Sequence, residues 1–452
     1  MDPSSSGASS GAPPATMPRH SPRTLVLCFD GTSDEYTNQN TNVIKFVSLL
    51  SKDEEQQLVY YQAGVGTYFQ PGFISPLFSW GAKMLDEALA FYLPEHVMQG
   101  YRFLMQNYIV GDRVCLFGFS RGAYTARALA GMLHKVGLLL RDNDEQIPFA
   151  YDVYKSDRPK DAELAAGFKE AFCRDVPIEF VGVWDTVASV GIISMRSLPF
   201  VQTNTTIKTF RQALALDEHR AKFRPSHYNR PGPAKRTPSC LNKLKNGLFG
   251  RSSSSGHTSL ESKDPLHTPP ASFKAAASGS EHFALTDVKE VWFAGCHTDI
   301  GGGATANNAE CSLGNITLRW MVREVIKSQC GVVFDDAAFA RLGIPRQLLN
   351  IFDEKTPDRD EKLDERDAVQ PIHDQLKANP MWWLLEIVPT DFTYQSVVTN
   401  EWVSKWSIHL GRGRFVPPDA QFHESVKYRM NDSALKYTPR ARYKQSNITF
   451  VT

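Results

Sequence analysis

Short apolar runs alternate along this chain with longer stretches in which apolar residues return every three or four positions. The runs Thr24–Phe29, Leu58–Tyr61, Val114–Phe119, Ile178–Trp184 and Val288–Ala294 are four to seven residues long, and turn residues close several of them. That length and composition predict buried strands. Between them, Thr41-Asn42 caps a helical pattern through Val43, Phe46, Val47 and Leu50, and a long helical region runs from Lys83 to Tyr108. Leu313 to Lys327 is a further amphipathic helix. Strands separated by helices of this length predict an α/β fold, with a mainly parallel sheet covered on both faces. Irregular additions are expected toward the C-terminus.

Two segments break the pattern. Residues 1–22 are rich in Ser, Pro, Gly and Ala, and about 230–280 hold Ser252 to Ser255 among scattered Pro, Lys and Ser. Too few large apolar residues remain there to offset the entropy of ordering, so a disordered tail and a disordered insert are expected. The expected domain is then 23–452, interrupted by that insert. Inside the insert, Leu241–Phe249 is a basic-apolar island, read as solvated linker rather than a docking helix.

Ligands of parallel sheets bind beyond the carboxyl ends of the strands. Here those ends carry Asp30-Gly31-Thr32, Ser120, Asp185-Thr186 and His297-Thr-Asp-Ile-Gly-Gly-Gly303. A parallel sheet would gather all four clusters on one edge.

The sharpest local signal is Gly118-Phe-Ser-Arg-Gly122 between an apolar run and a small-residue helical pattern. This is the G-x-S-x-G nucleophile elbow, in which a strand turns into a helix and holds a serine on the tip. Gly118 and Gly122 let the turn be tight and the helix lie close on its strand. A serine hydroxyl needs a base, and an imidazole needs a carboxylate to fix its tautomer. The chain order Ser120, Asp185, His297 is that of α/β-hydrolases. The candidate roles are Ser120 as nucleophile, His297 as general base and then acid, and Asp185 as orienter.

An oxyanion needs two preorganised N–H donors. The backbone N–H of Arg121 is one candidate, and the Gly31-Thr32 loop offers the other. The Arg121 side chain faces either an anionic substrate group or the outer surface. Asp30 and Asp299 are supporting candidates; Asp299 either caps the glycine loop or binds the backbone, and a metal role for it has only weak support. Asp217, on the helix-like stretch Ala213–His219, is a rival acid, and His423 is a rival base.

Other function classes have weaker support. Phe29-Asp-Gly-Thr32 is like part of the D-x-D-G-T motif of aspartyl phosphatases, but Cys28 stands where their nucleophile would be. A phosphate-cradling module is disfavoured because no G-K-[ST] follows the Gly301–Gly303 loop. A catalytically inactive scaffold of the same fold stays open as the alternative. No zinc-type His/Cys spacing occurs, and no cofactor or metal is expected.

Composition narrows the setting. The formal net charge is +1, which argues against nucleic-acid binding by phosphate neutralisation. Seven dispersed cysteines without a C-x-x-C pair read as reduced thiols, with Cys28, Cys115 and Cys296 buried in strand-like runs. Neither a signal-peptide pattern nor an apolar stretch near the ~18 residues of a membrane span occurs, so a cytoplasmic setting is expected.

Taken in order, several motifs resemble one family. They are Phe29-Asp-Gly-Thr32 with Thr41-Asn-Val43, Gly111-Asp112 before Gly118-Phe-Ser-Arg-Gly-Ala123, Val181-Gly-Val-Trp-Asp-Thr-Val187, Ala213–Glu218 and Val291–Gly303. Leu318–Met321, Trp382–Glu386, Gly411-Arg-Gly-Arg414, His423–Val426 and Tyr437–Arg440 extend the likeness. The chain resembles the α/β-hydrolase family that includes the phospholipase effectors of bacterial type VI secretion and their uncharacterised fungal relatives. The resemblance spans roughly Thr24 to Arg440 without the insert. It implies an ester hydrolase with a triad at Ser120, Asp185 and His297, and for the effectors a glycerophospholipid substrate. An asparagine often stands in that family where this chain has Asp34, a departure that touches the hydrogen bonding of the first loop.

The expected substrate is a small-molecule or lipid ester, with transient contact to a membrane surface; protein partners are not specified by the sequence. Tyr68–Trp80, aromatic and broken by Pro and Gly, is either a lid over the site or an ordinary loop. Met381–Val388 lacks strongly basic flanks and reads as core rather than as a membrane anchor.

Overall fold

The structure is a computed structural model that describes residues 21–31, 34, 36–64, 78–158, 160–187, 198–228, 286–344, 358–395 and 402–452. Most of the N-terminal tail, the insert with its island, Thr32, and all but the last three residues of 68–80 lie outside the described residues.

The predicted runs form strands. In chain order the described strands are β1 Thr24–Phe29, β2 Gln57–Gln62, β3 Arg113–Phe119, β4 Leu138–Leu139, β5 Cys173–Arg174, β6 Ile178–Trp184, β7 Ile207–Ala215 and β8 Asp287–Phe293. They continue with β9 Thr390–Gln395, β10 Trp402–Ser407, β11 Gln421–His423 and β12 Thr449–Val451. Eight build one sheet in the order β12-β11-β8-β7-β6-β3-β1-β2, and every neighbouring pair in it is parallel. This is an α/β, α/β-hydrolase-like fold.

Helices cover both faces. α1 is Asn42–Leu49, α2 Phe78–Asn107, α3 Ser120–Val136, α4 Ile147–Lys155, α5 Lys160–Phe172, α6 His297–Gly301 and α7 Leu313–Ser328. β1 explains the continuous apolar run: Leu25, Leu27 and Phe29 enter the core under α2 to α5, while Val26 and Cys28 enter the opposite core under α1 and α7. A strand buried on both sides has no polar face to alternate with. Thr41 caps α1 as expected, its side chain accepting from the Ile44 amide. Cys28, Cys115 and Cys296 are buried and free.

Two expectations are overturned. Ala213–His219 is not helical: its first three residues end strand β7, which carries Asp217 past the sheet edge. Short apolar runs do not distinguish strand from buried helix by period alone. Met381–Val388 is not core either. It forms a 3₁₀ turn and one helical turn at the surface, where Met381, Trp383, Leu384 and Ile387 are exposed and Glu386 is the buried member. The C-terminal segment also does more than add irregular chain, since β11 and β12 extend the sheet. Among the described residues no helix is long and apolar enough to cross a membrane.

Candidate active site

Strand register lines up the functional positions. Phe29 pairs with Gly118, Phe119 with Trp184 and Trp184 with Ala213, so Asp30, Ser120 and Asp185 emerge side by side. β8 ends at Phe293, and His297 opens α6 four residues later.

Ser120 sits at the β3–α3 junction with φ +57°, in the left-handed region that side chains other than glycine rarely occupy. Its neighbours explain how the turn closes. A Cβ on Gly118 would stand 2.6 Å from the carbonyl carbon and oxygen of Gly122, and one on Gly122 would be 2.5 Å from the Phe29 carbonyl carbon. Backbone therefore passes backbone where both glycines lie.

The His297 ring lies between Ser120 and Asp185. Its Nδ1 is 2.5 Å from Asp185 Oδ2 and its Nε2 is 2.7 Å from Ser120 Oγ. Phe119 and Phe223 flank the ring at centroid distances of 4.6 and 4.8 Å. All three polar residues are buried.

Charge sets the proton positions. Burial alone would push the Asp185 carboxyl up, but Arg414 and His297 outweigh it and hold the group well below the usual carboxylate range. A carboxylate only accepts, so Nδ1 of His297 carries the proton and donates to Asp185. Nε2 is then the acceptor for the Ser120 hydroxyl. Burial lowers the His297 pKa, and the Asp185 hydrogen bond and charge offset only part of that. The imidazole is neutral at pH 7 and able to accept a proton.

Sequence reasoning assigned no role to the residue that completes this arrangement. Arg414 donates from Nη1 to Asp185 Oδ1 at 2.6 Å and from Nη2 to Oδ2 at 2.8 Å. The Ala215 amide also donates to Oδ1, at 3.0 Å. Arg414 stands in Gly411-Arg-Gly-Arg414, one of the motifs that carry the family resemblance, and that motif is the signal in the sequence that points to it. Glu218 was likewise missed. It accepts from the His297 amide at 3.2 Å, and Arg220 holds it down to a pKa of about 2 against the cost of burial.

The supporting residues brace the loops around the site. Asp30 accepts from the Gly31 amide, the Thr41 hydroxyl and the Tyr61 hydroxyl, each at 2.9 Å, and thereby braces the first loop. Asp299 accepts from the Cys296 amide at 2.9 Å and the His373 amide at 3.0 Å, which fixes the start of α6. Gly31 stands beside Phe119 and Asp34 on that loop, and Arg121 heads α3, where first-turn amides have no intrahelical acceptor. Thr32 lies outside the described residues.

The rivals are placed elsewhere. Asp217 accepts from the Gly295 amide at 2.7 Å, the Tyr437 hydroxyl at 2.7 Å and the Arg440 amide at 3.0 Å. His423 stacks on Phe293 at 4.7 Å and contacts Ser425 Oγ at 2.9 Å, at the end of β11. Neither approaches Ser120 through a hydrogen bond among the described residues.

A parallel sheet with a serine elbow on an interior strand and an aligned histidine and aspartate defines an α/β-hydrolase-type domain. The model of the T6SS phospholipase effector Tle1-like catalytic domain matches residues 23–324, and the chain belongs to that family. It is thereby a domain of the lipase and phospholipase type. An uncharacterized protein of Saccharomyces cerevisiae is 27% identical over 541 residues, covering 90% of this chain and 79% of that protein. Among solved structures, an uncharacterized protein from Pseudomonas aeruginosa has 19% identity and a TM-score of 0.36 over 76% of this chain. The chain spans about half of that protein, 53% of its length. The Tle1 effector bound to the VgrG spike of the type VI secretion system has 14% identity and a TM-score of 0.39, over 87% of this chain and 90% of that one.

Proposed function

We propose that the protein is a serine hydrolase of carboxylic esters, with a lipid ester, a glycerophospholipid by family likeness, as its substrate. One observation carries the reading: the hydrogen-bonded line from Ser120 Oγ through His297 to Asp185, with no break longer than 2.7 Å.

The steps follow from the proton positions. His297 Nε2 takes the Ser120 proton as Oγ bonds to the acyl carbon, and the carbonyl electron pair moves onto oxygen. The Arg121 amide and a second donor, assigned to Thr32 because the Gly31 amide already donates to Asp30, receive that oxyanion, each supplying about 3 kcal/mol. The imidazolium, stabilised by Asp185, gives its proton to the departing alcohol and leaves an acyl-serine. Water then attacks the acyl carbon while His297 takes its proton, and the carboxylic acid leaves as the proton returns to Oγ.

The test is covalent labelling by a fluorophosphonate probe alongside turnover of p-nitrophenyl esters and fluorogenic phospholipids. Labelling and turnover are expected in the native protein. Both are expected to vanish in Ser120→Ala, with turnover down by roughly 10⁴ to 10⁶. Labelling that persists in Ser120→Ala would assign the nucleophile elsewhere.

A further inference from the structure

The surface stretch that sequence reasoning placed in the core has a second property. Met381, Trp383, Leu384 and Ile387 are joined there by Ile408 and Leu410, all six between 40% and 55% exposed. Scattered exposed apolar residues need no explanation, but these are contiguous. The amides of His409 and Leu410 donate to the Glu386 carbonyl at 3.1 and 3.2 Å. The Glu386 carboxylate takes His409 Nδ1 at 2.6 Å and the Gly411 amide at 2.9 Å. A Cβ on Gly411 would touch the Trp383 ring at 3.4 Å. One buried acid thus clamps two segments into a single apolar corner.

That corner adjoins the catalytic histidine. Trp382 meets Phe223 edge-on at 5.5 Å, and Phe223 meets the His297 ring edge-on at 4.8 Å. The Arg220 guanidinium lies over both Phe223 and Trp382, at 3.5 and 4.8 Å, and locks this wall. The other oxygen of Glu386 accepts from the Ala221 amide at 2.5 Å, which ties the corner to the same wall.

Charge indicates what the corner meets. Within residues 374–387 and 408–412 the acids are Glu386, buried and satisfied, and Asp374, mostly buried and 3.8 Å from Lys377, whereas Lys377 itself is exposed and Arg412 is half-buried. Apolar side chains with Trp among them, flanked by cations, suit the boundary between headgroups and acyl chains.

We propose that this corner is the surface by which the protein docks on a lipid bilayer, preferentially an anionic one, so that an ester leaving the bilayer enters beside Phe223 and His297. The choice of a lipid over another apolar partner rests on the ester-hydrolase reading above.

Docking is measured without turnover. Full-length Ser120→Ala protein is sedimented with vesicles of phosphatidylcholine alone and of phosphatidylcholine mixed with phosphatidylserine. It is expected to bind both, more tightly with phosphatidylserine and less tightly as salt rises. Adding Trp383→Ser, Ile387→Ser and Leu410→Ser together is expected to weaken vesicle binding by about tenfold or more. In a protein that keeps Ser120, the same three changes are expected to leave turnover of a water-soluble short-chain ester and the melting temperature unchanged. Failure of the parent to sediment, or equal sedimentation of the triple variant, overturns the proposal. So does a concentration-dependent dimer that the triple variant loses, which assigns the corner to a second copy. Equal loss of soluble-ester turnover at unchanged melting temperature would place the corner inside the substrate site and also overturn it. If vesicle binding behaves as stated while no ester is cleaved, docking stands and the hydrolase reading falls.

Discussion

The guanidinium of Arg414 lies against both carboxylate oxygens of Asp185, 229 residues earlier in the chain, at 2.6 and 2.8 Å. Both groups are buried. Such a pair is costly to bring out of water, and removing one partner strands the other charge, which typically costs about 3–5 kcal/mol. Arg414→Leu is therefore expected to lower unfolding stability by about that amount in urea titration. Arg414→Lys should recover only part of it, because an ammonium cannot reproduce the two-pronged fork. A loss under 1 kcal/mol for the leucine variant, about the size of a surface pair, would show that the contact adds little.

The same pair shapes the pH profile of the proposed reaction. His297 must be neutral to accept the Ser120 proton, and burial holds its pKa below the ordinary value of 6.5. kcat/KM on a soluble ester should accordingly stay level through pH 7 and fall only on the acid side, below 6.5. In Arg414→Gln a cation beside the dyad is gone, so the imidazolium is favoured and the acid limb moves to higher pH. The maximal rate should also drop, because Asp185 loses the guanidinium that holds both its oxygens in line with His297. An acid limb that stays in place in that variant would detach Arg414 from the electrostatics of His297.

Much of this site is legible in the sequence alone. β1, β3, β6 and β8 are short apolar runs that end in polar residues, and a parallel sheet leaves those ends one common edge. β7 escaped because Ile207–Ala215 mixes Lys208, Arg211 and Gln212 into a strand whose neighbours satisfy them. Arg211 pairs there with Glu324 and Asp287, so polar residues entered the sheet without a visible period. Arg414 escaped for a different reason. Its partner is fixed by tertiary structure alone, and nothing local separates it from Arg412 two positions earlier. The surface position of Trp383 and Ile387 was equally hidden, since composition alone does not separate an apolar core segment from an apolar interface.

Gly122 offers a test of the elbow that leaves Ser120, His297 and Asp185 themselves unaltered. Its α-carbon faces the Phe29 and Asp30 carbonyls, so a methyl group can be accommodated only if α3 lifts from β1. Backbone cannot swing aside as a long side chain does, and overpacking of this kind costs typically 1–3 kcal/mol. Gly122→Ala should lose at least that much stability and most fluorophosphonate labelling, because Ser120 shares the displaced turn. Gly167 is a control, since a Cβ there would meet nothing within 4 Å. Gly167→Ala lies inside α5 and should be neutral or slightly stabilising. If both variants melt alike, the close approach at the elbow is not a constraint.

Asp34 makes the first loop sensitive to pH. Burial raises its carboxyl to a pKa of about 7, nearby Asp30 adds to the rise, and Arg121 offsets part of it. Its amide donates to the Gly31 carbonyl at 3.1 Å, within the loop proposed to receive the oxyanion. A carboxyl whose folded pKa is raised is held most comfortably as the acid. The stability it allows is present in full below its unfolded value of 3.8 and is lost as pH rises through about 7. Asp34→Asn removes that titration. The variant's stability relative to the native protein should therefore increase between pH 4 and pH 7 and level off above, by on the order of 4 kcal/mol. Asp30, raised to about 6 in the same pocket, titrates in both proteins and largely cancels in the difference. A difference in melting temperature that is constant from pH 5 to pH 8 would mean that Asp34 ionises in the folded protein as it does in water.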